Sequence, residues 1–98
     1  MSTPSDCKSI EEVREAIDKL DQKIISLLGE RYGYVKEVIR FKKPTETSIV
    51  AKDRFDSVIA SRRELAKNEG LDPDVIENIY RNLLNYFISE ERKLIGEK

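Results

Sequence analysis

The chain has 98 residues, 39% of them hydrophobic and 38% charged, with a formal net charge of −1. That length holds one domain with a single modest core, and charges that nearly cancel give no bulk basic field for nucleic acid or an anionic membrane. There is no histidine and one cysteine, Cys7, so Cys/His metal sites, an internal disulfide and a histidine base are excluded.

The first helix is predicted over about 9–42. Ser9 and Glu12 form a capping box, and apolar residues then recur at Ile10, Val13, Ile17, Leu20, Ile24, Leu27, Leu28, Val35 and Val38 with a helical period. Gly29 and Gly33 each cost about 1 kcal/mol inside a helix, but the stripe keeps its phase on both sides, so the helix is expected to run through them. The stretch KPTETS, residues 43–48, reads as a loop. A second helix is predicted over about 50–69, with Gly70 as a left-handed stop. A third is predicted over about 72–95, where Asp72 caps, Pro73 fills the first turn and Leu71 can staple against Ile76. Strand signals are absent, so the fold class is all-α.

A helix of that first length would measure roughly 50 Å, whereas a compact domain of this size has a radius of gyration of about 13 Å. Its apolar stripe continues to the end, and a second copy of the chain, related by a two-fold axis, is the economical cover. No segment is apolar for long enough to span a bilayer, and the opening MSTPSDCKS lacks a signal-peptide core, so the expected location is the cytoplasm.

In RYGYVKEVIRFK, residues 31–42, Arg31, Val35, Val38 and Lys42 fall within roughly 60° of one another on a helix. Two cations thus occupy an apolar seam. Arg14 flanks the same stripe between Ile10 and Ile17, and Arg54 lies beside the apolar face of the second helix. The third helix carries Glu91 centred on the stripe made by Tyr80, Leu84, Phe87, Ile88 and Ile95. Taken singly, each is best read as a long side chain reaching solvent from the edge of its stripe. Four cations facing one carboxylate are harder to explain that way, and the excess positive charge calls for a multiply anionic ligand.

The run VREAIDKLDQKIISLLGERYGYVKEVIRFK resembles the first helix of the all-helical chorismate mutase family, and the likeness continues through DRFDSVIASRRELAKNEGLDPDVIENIYRNLLNYFISEE. Within the family, the opening TPSDC is most similar to the isochorismate-pyruvate lyase branch of salicylate synthesis. The resemblance implies an interlaced homodimer of three-helix chains whose two active sites each borrow the partner's Arg14. It implies a dianionic substrate, chorismate or isochorismate, with no cofactor or metal, no protein base and no covalent intermediate. Arg14 and Arg31 would hold the two carboxylates, Lys42 would contact the ether oxygen and a carboxylate, and Arg54 would support the ring. Glu91 would face the ether oxygen as a neutral donor, since an ionised carboxylate would repel the charge developing there.

Phe55 stands where many mutases carry a carboxylate that holds the ring hydroxyl, and Ala51 where an acid is often found; both lean toward the lyase branch. Glu91 leans the other way, because the lyase type has glutamine there. The first expectation is rearrangement of chorismate to prephenate, with cleavage of isochorismate to salicylate and pyruvate a close, coexisting second. From another class, a non-enzymatic helical dimerisation module would use the same cations to bind an acidic partner, without turnover.

Overall fold

The computed structural model describes residues 3–42 and 44–96, and every regular element among them is helical. The order is a 3-10 turn at Pro4–Asp6, then α1 (Ile10–Val38), a second 3-10 turn at Ile39–Phe41, α2 (Glu46–Val50), α3 (Lys52–Asn68) and α4 (Pro73–Gly96). The chain forms two compact units, Met1–Tyr34 and Val35–Lys98. Among the described residues, no helix is long and apolar enough to cross a membrane.

In the first unit, Ser9 accepts a hydrogen bond from the Glu12 backbone N–H at 3.2 Å, as a helix cap should. Glu12 reaches back to the backbone N–H of Lys8 at 2.6 Å, one residue before the expected partner. The helix passes through Gly29 and Gly33 without a break. None of its residues is buried, and Ile10, Val13, Ile17, Leu20, Ile24 and Leu27 are between 41% and 61% exposed. Its apolar stripe is therefore as regular as the sequence predicts, and open along this unit.

In the second unit, α3 and α4 pack as a helical hairpin. The chain turns where Gly70 adopts φ +74°, a conformation natural to glycine. The Gly70 N–H donates to Lys67 O at 3.2 Å and the Leu71 N–H to Ala66 O at 2.8 Å, the paired bonds of a Schellman stop. Asp72 then caps α4 by accepting from the Asp74 N–H at 2.9 Å, with Pro73 at the first helical position. Val58, Ile59 and Ala66 of α3 pack in the core with Phe87 of α4, Ile49 of α2 and Ile39. Across the hairpin, Arg63 bonds Asp74 and Glu77 at 2.8 Å each and the Arg81 guanidinium lies 5.8 Å from the Phe55 ring centre, while Arg81 also bonds Glu77 within α4 at 2.7 Å.

Two local differences from the sequence reading matter for the site. The first helix ends at Val38, and Lys42 lies beyond the 3-10 turn with extended backbone, φ −96° and ψ 145°. Pro44 follows closely, and helices usually stop before the residue that precedes a proline. Of the predicted loop 43–48, Lys43 lies outside the described residues and the end is helical. Thr45 caps α2 by accepting from the Ser48 N–H at 3.2 Å, and Glu46 occupies the first turn where the helix dipole favours an acid. Ala51, at φ 46°, is both the end of α2 and the residue before α3. This left-handed turn keeps the two helices separate.

Candidate active site

The most distinctive chemistry lies within the second unit. Lys42 Nζ is 3.0 Å from Glu91 Oε2, with side-chain exposures of 18% and 7%. Among the described residues Glu91 is the only buried polar or charged side chain. The two are 49 positions apart in sequence, and their meeting depends on the fold. Glu91 points inward because it sits one turn beyond the buried Phe87 on the apolar face of α4. Lys42 arrives differently from the sequence reading: it has left the α1 stripe, and the extended backbone after the 3-10 turn directs it to α4. Its ammonium also donates to the backbone carbonyl of Ile49 at 3.1 Å. That carbonyl is in the last turn of α2, where the left-handed Ala51 interrupts the helix and leaves the final carbonyls needing donors.

An ammonium has three N–H donors. Two are used by Glu91 and Ile49, and among the described residues the third has no acceptor. Withdrawing two charges from water costs several kcal/mol per ion before their attraction repays it. A charge pair kept inside a small core therefore adds little net stability.

A groove of about 510 Å³ lies between α3 and α4, lined by Val50, Lys52, Phe55, Asn85, Ile88 and Arg92; Lys42 and Glu91 are not part of its lining. Ile88 and Arg92 stand next to Glu91 on α4, one turn before it and one residue after it. Phe55 is half-buried and supplies an apolar wall where a carboxylate would have made a polar one. Arg92 is joined to Glu46 of α2 by a two-pronged ion pair, Nε to Oε2 at 3.1 Å and Nη2 to Oε1. This holds the Glu46 carboxyl below its usual range, chiefly through the hydrogen bond from Arg92, and raises the guanidinium in return.

Of the other predicted site residues, Arg54 is exposed on α3 and has no ion pair among the described residues. Arg14 and Arg31 belong to the first unit: Arg14 is exposed, while Arg31 is half-buried and engaged by a partner. Sequence reasoning missed the Glu46–Arg92 pair and the Ile49 carbonyl. No short-range pattern links residues 46 positions apart, and a backbone carbonyl has no sequence signature.

An isochorismate pyruvate lyase from Pseudomonas aeruginosa is 37% identical over 93 residues, covering 95% of this chain and 91% of the relative. A chorismate mutase from Methanocaldococcus jannaschii is 24% identical over 92% of this chain and 91% of its own. A T-protein from Enterobacter agglomerans is 33% identical over 79 residues, which is 21% of that longer protein. The model of chorismate mutase type II matches residues 13–92, and the chain belongs to that family.

Proposed function

We propose that this chain is a chorismate mutase-type pericyclic enzyme that rearranges chorismate to prephenate, with Lys42 and Glu91 at the reacting ether oxygen. The observation that carries this reading is the shielded ammonium of Lys42, fixed by two acceptors, the Glu91 carboxylate and the Ile49 carbonyl. In the rearrangement the ether C–O bond breaks as a C–C bond forms, and negative charge builds on the departing oxygen. A preorganised cation in a site with little water stabilises that charge more than it stabilises the ground state. Nothing in the step requires a protein base, which suits a chain without histidine. Arg31 and Arg14 are assigned to the two substrate carboxylates, and Arg54 to the ring side, by their match to the family pattern. Glu91 is assigned as the second group at the ether oxygen, beside Lys42, by its match to the family pattern.

A second reading, cleavage of isochorismate to salicylate and pyruvate at the same site, is favoured by two observations. One is the apolar wall at Phe55 in place of a carboxylate; the other is the 37% identity, over almost its whole length, to a protein named for that reaction.

The enzyme would act as a homodimer with interlaced chains. The open stripe from Ile10 to Leu27 on α1 supports this, because a second copy offers the same stripe and a two-fold contact buries both at once. Arg14 flanks that stripe, and by its match to the family pattern it would complete the other copy's site. The test is purified protein supplied separately with chorismate and isochorismate, reading prephenate in one case and salicylate plus pyruvate in the other. Turnover of neither substrate would overturn the proposal and favour the dimerisation module.

A further inference from the structure

We propose that the Glu46–Arg92 ion pair is a positioning device for Lys42, acting through α2. The inference rests on the functional reading above but concerns residues outside the reacting set.

A helix of five residues has almost no stability of its own, because nucleation consumes the gain from its few hydrogen bonds. The position of α2 must therefore come from its attachments. Thr45 caps its start, Ile49 is 5% exposed and anchored in the core, and Glu46 is clamped to Arg92 on α4. Beside the core contact of Ile49, the last ties α2 by a directional ion pair to the helix that carries Glu91, and it does so from the adjacent residue. The clamp is a two-pronged guanidinium–carboxylate contact, which fixes direction as well as distance.

The consequence reaches Lys42 through one atom. The Ile49 carbonyl is three residues beyond Glu46 in the same short helix and accepts from Lys42 Nζ. With α2 clamped, the ammonium has two fixed acceptors, the Glu91 carboxylate on α4 and the Ile49 carbonyl on α2, and its remaining N–H has a defined direction. Without the clamp, α2 would be held by its cap and the Ile49 side chain alone, and the Ile49 carbonyl would be a less sharply directed acceptor for the ammonium. Displacing a charge-stabilising group by about 1 Å can reduce rate by an order of magnitude or more. Glu46 and Arg92 are thus positioning residues, and neither needs to touch the substrate.

The experiment uses Glu46→Gln, Arg92→Gln, Arg92→Lys and the double Gln variant, with Glu15→Gln as a control that breaks an exposed pair with Lys19 on α1. The first readout does not depend on turnover: the hydrogen-exchange rate of the Lys42 ammonium in ¹⁵N-lysine-labelled protein, assigned by its disappearance in Lys42→Arg. The wild type should show a slowly exchanging Lys42 ammonium. Each Gln variant should accelerate that exchange about tenfold or more, with Arg92→Lys intermediate because it keeps the charge and loses the fork. The second readout is kinetic, on whichever substrate the wild type turns over. Each Gln variant should lower kcat about tenfold, and the double variant should be no worse than either single one, since both remove the same clamp. Losses that multiply in the double variant, or Lys42 exchange unchanged from wild type and the Glu15→Gln control, would overturn the proposal. A wild type inert on both substrates would overturn the functional reading and the catalytic half of this one, while the exchange measurement would still decide whether the clamp positions Lys42.

Discussion

Replacing Lys42 by methionine tests the buried pair most severely, because the flexible apolar chain fills much of the same space while the positive charge disappears. At 3.0 Å and an effective dielectric constant near 20, the attraction between the two charges is about 5 kcal/mol. Desolvation offsets most of that gain while the pair is intact. In Lys42→Met, however, Glu91 keeps its burial and loses its compensation, and breaking a buried pair in this way costs about 3–5 kcal/mol. Glu91→Gln is a milder change: the amide is neutral, and Lys42, at 18% side-chain exposure, retains the Ile49 carbonyl and some access to water. Its cost should be about 1–2 kcal/mol. The double variant Lys42→Met/Glu91→Gln should be about 1–2 kcal/mol more stable than Lys42→Met, which corresponds to a coupling of about 3 kcal/mol. The assay is equilibrium denaturant unfolding of all four proteins at one fixed concentration, so that any association contributes equally. Equal losses for the two single variants, or simple additivity in the double, would refute the idea that an uncompensated carboxylate sets the cost.

Further outcomes follow from the same structure. Sedimentation should give a dimer at all concentrations where the chain is folded, since α1 alone leaves its stripe in water; a folded monomer would refute interlacing. Mixing inactive Arg14→Ala chains with inactive Arg31→Ala chains should restore activity to one of the two sites in each mixed dimer, and no recovery after confirmed subunit exchange would argue against a shared site. Arg81 and then Arg63 hold the Glu77 carboxyl below the usual range through their hydrogen bonds. The stabilisation this gives is fully present above the ordinary glutamate value of about 4.3 and is lost as pH falls through the lower folded value. Glu77→Gln should therefore melt below wild type at pH 7, the gap closing in acid; a gap independent of pH would assign the loss to packing.

The helical architecture was legible because its signals are local. Ser9, Gly70, Asp72 and Pro73 each act on backbone within a few residues, and each does so here. Glu91 was legible as an inward-facing carboxylate because α4 keeps a regular period. Lys42 was expected inside for a reason that does not hold: the seam places it by continuing α1, whereas the helix stops at Val38 and a turn delivers it. The short helix α2 escaped because threonine, serine and glutamate both favour loops and cap helices, and only Ile49 finding a place in the core decides between them. The Glu46–Arg92 clamp depends on tertiary approach alone.

The most direct measurement is the turnover of chorismate and isochorismate by wild type and Lys42→Met side by side, at a temperature where both are folded. If the shielded ammonium stabilises charge on the ether oxygen, the wild type forms prephenate, or salicylate with pyruvate, and the variant falls by about two to three decades, equivalent to about 3–4 kcal/mol of transition-state stabilisation. A folded Lys42→Met protein that turns over at the wild-type rate would contradict the assignment of Lys42 to the reacting oxygen.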